Sequence, residues 1–197
     1  MIQLIFVRHG QTDSSRNGTY CGWTDVELNK EGTKQAYNVQ KKLEGMKVGK
    51  IFSSPLKRTS QTVKIINENF SLPVNYDERL KERNFGVWDD MSYEDICLNY
   101  PDELKLWEGD WINYCMDKGE SALQVHHRTS LFVDEIIQDK SSRKVLIVTH
   151  LGCIRSMLAH LFGMGLEGSW RFRVDSGSIS QVSVNDEGYA YLKGLNI

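Results

Sequence analysis

The sequence predicts an α/β fold: a three-layer sandwich with helices on both faces of a mixed, mostly parallel central sheet, plus a small helical cap. Three observations carry this. The chain opens on an almost continuous apolar run, Ile2-Gln3-Leu4-Ile5-Phe6-Val7, of the kind seen in strands buried on both faces. A second such run, Lys144-Val145-Leu146-Ile147-Val148-Thr149, recurs late in the chain. Between and after them, strand-like and helix-like periods largely alternate, with no internal repeat and no low-complexity linker.

The elements follow in order. After the first strand comes a loop of roughly twenty residues, long for a compact domain and therefore expected to be functional. A helix over 30–44 carries Ala36, Val39 and Leu43 on one side and ends near Gly45. A short strand at 50–53 leads into Ser54-Pro55, which reads as an N-cap followed by proline at the first helical position. The helix they open, 55–67, turns Leu56, Thr59, Val63 and Ile66 inward, and a short strand lies near 73–76.

Residues 80–88, Leu-Lys-Glu-Arg-Asn-Phe-Gly-Val-Trp, follow neither period and read as a structured loop. Residues 90–120 hold Tyr93, Tyr100, Trp107, Trp111 and Tyr114 around Pro101 and read as short helices capping the sheet edge, where a ligand's variable part would be selected. A helix then runs from Gly119-Glu120-Ser121 to about 138, with Val125, Phe132, Val133 and Ile136 inward. The strand at 144–149 precedes a helix over 153–162. Strand-like runs near 170–175, 178–184 and 189–195 close the chain, separated by Ser176-Gly177 and Asp186-Glu187-Gly188 as in a meander. The reading is one domain over 1–197, with about 90–120 as a cap insertion.

The chemistry sits at strand ends. Arg8-His9-Gly10 closes the first strand, where open α/β sheets place their ligands. Arg8 offers a cationic fork to an anion, and His9 a nitrogen nucleophile or base. Arg58 falls in the first turn of its helix, a poor place for a cation unless an anion lies between it and the helix end. His150-Leu151-Gly152 repeats the arrangement of His9, a strand followed by histidine and a helix start. Glu82, among the aromatics of its loop, is suited to give a proton to a leaving group.

Arg8-His9-Gly10, Arg58, Glu82 and His150, in that order, resemble the histidine phosphatase superfamily, also called phosphoglycerate mutase-like, over nearly the whole chain. Within it, Tyr20-Cys21-Gly22-Trp23-Thr24-Asp25 and the segment from Trp170 to Ser178 look like the alpha-ribazole phosphatases of cobalamin biosynthesis. The resemblance implies a phosphomonoesterase with a phosphohistidine at His9, Glu82 as general acid and base, and Arg8, Arg58 and His150 on the phosphate. Ser15, Asn17 and Thr24 are candidate substrate contacts. Two positions depart from the pattern. Ser15 stands where many members have asparagine, with Asn17 two residues on, and Trp88-Asp89-Asp90 replaces Trp-Glu-Gly.

Composition narrows the partners. With 24 basic and 26 acidic residues the net charge is −2 and no basic block occurs, which argues against nucleic acid; the small phosphorylated metabolite expected as partner is what the resemblance implies. No apolar stretch is long enough to span a bilayer, the N-terminus reads as a strand and not as a signal peptide, and four scattered cysteines read as free thiols. The expectation is a cytoplasmic enzyme without metal or cofactor: there is no His-Glu-x-x-His or Cys-x-x-Cys, and adjacent His126 and His127 cannot form an i, i+4 ligand pair. His126, His127 and His160 read as structural. Two alternatives stay open, a cofactor-dependent phosphoglycerate mutase and a non-catalytic phosphate-binding protein. Oligomeric state is not legible.

Overall fold

The computed structural model describes residues 1–139 and 141–197. Its sheet has six strands: β1 (Ile2–Arg8), β2 (Lys50–Ser53), β3 (Val74–Tyr76), β4 (Lys144–Thr149), β5 (Ile179–Val184) and β6 (Ala190–Gly194). They lie in the order β3-β2-β4-β1-β5-β6; the first four are mutually parallel, and β5 and β6 pair antiparallel. β1 is central, which is why its sequence is apolar on both faces.

Alternate β1 side chains enter two cores. Leu4 and Phe6 pack with Phe132 and Val133 of α6 (Ala122–Gln138) and Ile154, Met157 and Leu158 of α7 (Leu151–Leu161). Ile5 and Val7 pack with Val39 of α2 (Lys30–Lys42), neighbouring Leu43, and Val63 and Ile66 of α3 (Lys57–Asn67). This is the three-layer sandwich expected from the sequence. A third cluster, Trp88, Ile96, Leu104 and Met116, builds the cap around the short helices α4 (Tyr93–Asn99) and α5 (Pro101–Gly109).

Three expectations are corrected. The long loop after β1 contains a short helix, α1 (Asp13–Asn17), capped by Thr12 and ended by Gly18 in the left-handed region at φ 74°. Residues 170–175 are not a strand: 166–171 form a 3-10 helix and the chain then runs extended without a ladder partner. The alternation was real, since Phe172 and Val174 are buried, but their carbonyls accept from Arg155 and Arg8 side chains instead of a neighbouring strand. Ser54-Pro55 also does not open α3. That helix starts at Lys57 after Leu56 and has no side-chain cap; the Ser54 hydroxyl accepts from the Leu56 N–H at 3.4 Å and from His150 Nε2.

Candidate active site

Strand register brings the two histidines together. Arg8 pairs with Thr149 across β1 and β4, so His9 and His150 are the next residues on both strands. The His9 N–H donates to the Thr149 carbonyl at 3.0 Å, and the two rings lie edge to face with centroids 5.1 Å apart. Ser54 continues β2 beside them through a bond to the Val148 carbonyl. This crevice lies where β1 is flanked by a parallel strand on one side and an antiparallel one on the other.

His9 is buried, and its Nδ1 lies 2.7 Å from the Gly10 carbonyl. A carbonyl only accepts, so Nδ1 carries the proton and Nε2 keeps its lone pair. Burial, then the charges of Arg58 and Arg8, hold the His9 pKa well below 6.5, so the ring is neutral at neutral pH. The loop holding it is tight, because any Cβ on Gly10 would overlap the backbone of Gly32 at the start of α2.

Arg58 is almost fully buried and gives one bond from each nitrogen: Nε to His150 Nδ1 at 3.2 Å, Nη1 to the Thr24 carbonyl and Nη2 to the Gly22 carbonyl. The first bond makes His150 Nδ1 an acceptor, so its Nε2–H donates to Ser54 Oγ at 2.8 Å. Burial, Arg58 and His9 hold the His150 pKa well below 6.5. Arg8 gives Nη1 to the Val174 carbonyl at 2.7 Å, while its buried Nε has no acceptor among the described residues. A buried orphan donor costs about 1–3 kcal/mol, which favours an anion drawn against this guanidinium.

Glu82 lies across the cavity at the N-terminus of α7. Its Oε2 accepts from the Gly152 N–H at 3.0 Å and its Oε1 from the Arg83 N–H at 2.9 Å. Arg128 of α6 fixes the backbone behind it, donating to the carbonyls of Arg79, Lys81 and Glu82 and pairing with Glu120. These groups surround a cavity of about 440 Å³ whose wall includes Arg8, His9, Arg58 and Glu82. Tyr20, Phe85, Trp107, Trp111 and Trp170 line its outer part.

Four expected contacts sit differently. His150 lies behind Arg58, off the cavity wall, with both ring nitrogens engaged by the protein. Ser15 reaches the wall, but its hydroxyl donates to the Thr12 carbonyl in the α1 capping box and so has no hydrogen for a ligand. Asn17 is exposed at the end of α1, away from the wall. Thr24 is also exposed and serves through its carbonyl, as an Arg58 acceptor.

The sequence reading missed several members. Asp89 receives the N–H groups of Gly22, Trp23 and Thr24 at 2.8, 2.7 and 3.1 Å, so the departure at Trp88-Asp89-Asp90 anchors the loop that holds Arg58. Arg155 and Ser156 join the wall with Leu151 and Gly152, and this helical spacing was available as a signal once His150 was placed before the helix. Arg128 had no local signal. His126 bonds Ser156 and His160 bonds Asp134. Cys153, buried and bonded to the Lys81 carbonyl, has its thiol pKa pushed up to about 12 by burial, which makes it unreactive. Among the described residues, no His, Cys, Asp and Glu side chains group to hold a metal and no helix is long and apolar enough to cross a membrane.

The fold and cavity define an α/β protein with a pocket at the carboxyl ends of its parallel strands, lined by a neutral histidine and two arginines. The chain belongs to the histidine phosphatase superfamily (branch 1), whose family model matches residues 4–197. It is 29% identical over 195 residues to the adenosylcobalamin/alpha-ribazole phosphatase of Escherichia coli (strain K12), covering 99% of this chain and 96% of that protein. It is 32% identical over 197 residues to phosphoserine phosphatase 1 of Hydrogenobacter thermophilus, covering 100% of this chain and 93% of that one. The crystal structure of the alpha-ribazole phosphatase from Shigella flexneri matches with a TM-score of 0.94 at 28% identity, covering 100% of this chain and 96% of that one.

Proposed function

We propose that the protein is a cytoplasmic, metal-independent phosphomonoesterase that works through a phosphohistidine. Its substrate is a small phosphorylated metabolite, alpha-ribazole 5′-phosphate or one of the compounds taken by a broad-specificity relative. The observation that carries this is the tautomer of His9: Nδ1 is tied to the Gly10 carbonyl, which leaves Nε2 as the open nitrogen of a neutral ring on the cavity wall.

In the first step His9 Nε2 attacks phosphorus in line, and the bond from phosphorus to the leaving oxygen breaks. Glu82, carrying a proton, gives it to that oxygen, so the product leaves as an alcohol. In the second step water attacks the phosphohistidine, Glu82 takes its proton, and the nitrogen–phosphorus bond breaks to release phosphate. Arg8 and Arg58 hold the peripheral phosphoryl oxygens, where positioning and charge supply most of the catalysis. His150 acts through Arg58, as the acceptor that orients its guanidinium.

The test is phosphate release, with excess chelator, from alpha-ribazole 5′-phosphate, 3-phosphoglycerate, fructose bisphosphates and an aryl phosphate. Turnover that survives chelator and vanishes in His9→Ala supports the mechanism, and Glu82→Gln should slow release while still forming some phosphoenzyme. Full activity in His9→Ala would remove this reading.

A further inference from the structure

Trp23 belongs to none of the three apolar clusters among the described residues, and it stays 41% exposed. Core packing therefore does not account for so large a residue at this place. Its contacts are specific instead. The indole Nε1–H donates to the Glu82 carbonyl at 2.9 Å. Lys81 Nζ, itself paired with Glu78, lies 4.4 Å from the centre of the ring.

The same residue stands in the loop that holds Arg58. Its neighbours Gly22 and Thr24 give their carbonyls to the guanidinium, and its own N–H goes to Asp89. The loop also runs hard against the segment that carries the acid, since a Cβ on Gly22 would overlap the Arg83 carbonyl oxygen. Residues 22–24 thus grip the Arg58 guanidinium and the Glu82 main chain at once.

The two gripped groups must act together. Arg58 holds the phosphoryl group, and Glu82 gives its proton to an oxygen bonded to that same phosphorus. Their separation matters, since a misplacement of about 1 Å can cost about 10²-fold in rate. Two donors fix the Glu82 carbonyl. Arg128 Nη2, at 3.0 Å, refers it to α6 and the body of the domain. Trp23 refers it to the loop of the phosphate-binding arginine.

We infer that Trp23 is a positioning residue: through its indole N–H it sets the distance between the phosphoryl group on Arg58 and the proton donor Glu82. It lies off the cavity wall and acts only through these two groups. The inference rests on the phosphomonoesterase reading and adds the residue that couples its two halves. Loss of the bond should cost most where the leaving oxygen needs a proton and least where it departs as a stable anion.

The test compares the wild-type protein with Trp23→Phe, which keeps an aromatic ring for Lys81 and removes the donor. Alpha-ribazole 5′-phosphate and 3-phosphoglycerate release alkyl oxygens, whereas 4-nitrophenyl phosphate releases a nitrophenolate that leaves unprotonated. The readout is kcat/KM, which covers the steps up to departure of the leaving group. It should fall about ten- to a hundredfold on the alkyl esters and less than about threefold on the aryl ester. Lys81→Met, which strips the cation from the ring and leaves the N–H in place, should stay near the wild type. Equal losses on alkyl and aryl esters overturn the inference and make Trp23 a prop of the Arg58 loop. A melting curve showing that Trp23→Phe has lost its fold has the same meaning. A matching loss in Lys81→Met also overturns it, because ring packing and not the N–H would then be at work. Wild-type release from the aryl ester alone would leave Glu82 no proton to give and end this inference only. No release from any ester would remove the phosphomonoesterase reading with it.

Discussion

Glu82 and Gly152 form one packed unit. The Gly152 N–H donates to Glu82 Oε2, and a Cβ on Gly152 would overlap Oε1 of the same carboxylate. Glycine here admits the acid to the N-terminus of α7, where the helix dipole and a free N–H receive it. Gly152→Ala should therefore push the flexible Glu82 side chain aside and leave the helix intact. Alanine gains up to about 1 kcal/mol of helix propensity. The expected outcome is a melting temperature at or above that of the parent with kcat reduced by about 10²-fold or more. Circular dichroism melting and steady-state phosphate release check it, and an unaltered kcat would show that Glu82 is not the proton donor.

Arg128 holds the strand of backbone that carries Glu82. One guanidinium spans the carbonyls of Arg79, Lys81 and Glu82 and both oxygens of Glu120, and both partners of that ion pair are less than one-fifth exposed. Arg128→Met strands the Glu120 carboxylate and should destabilise the fold by about 3–5 kcal/mol. Arg128→Lys should recover little, because a point charge cannot replace the planar fork. Urea unfolding of the three proteins measures both, and full recovery by lysine would refute the fork argument.

Asp89 acts on Arg58 at one remove. Its carboxylate gathers three N–H groups of the loop whose carbonyls, Gly22 and Thr24, hold the guanidinium. Asp89→Ala should loosen that loop and raise KM about tenfold across phosphomonoesters, a loss of about 1.4 kcal/mol. This effect on KM should be uniform across substrates, because the loop holds Arg58 and not the leaving group. A KM unchanged for every substrate would disconnect Asp89 from phosphate binding.

The buried histidines make stability pH-dependent. His9 and His150 stay neutral well below 6.5, whereas unfolded histidines take up protons from about that value. The unfolded state then binds more protons, so stability falls as the pH drops below about 6.5 and gains nothing further from these groups above it. Melting temperatures from about pH 8 to about pH 5 should decline only over the acid half, and more shallowly in His150→Asn. Equal slopes in the two proteins would assign the acid loss to other groups.

Much of this was legible without coordinates. The apolar runs of β1 and β4 and the inward stripes of α2, α3 and α6 follow from periodicity, because a buried face must be apolar whatever it packs against. Arg8, His9 and Arg58 announce themselves by residue type at the ends of such elements, and Glu82 by its place in an aromatic loop without a period. Residues 170–175 show the limit: two alternating buried residues mark an extended chain, but only its neighbours decide whether its carbonyls meet a strand or two arginines.

The sequence by itself determined the layers and the order of elements, since both depend on composition and local spacing, and its resemblance to a family named the side chains that could carry phosphoryl chemistry. The tertiary structure alone decided how those side chains meet. Register between β1 and β4, a long-range pairing with no local code, set His9 beside His150. Contacts between residues 36 to 92 positions apart made Asp89 the anchor of the Arg58 loop, put His150 behind that arginine and tied Glu82 to Gly152. A hydrogen bond to a fixed carbonyl then settled which nitrogen of His9 is free, because donors in a buried cavity go to whatever acceptors the fold brings within reach.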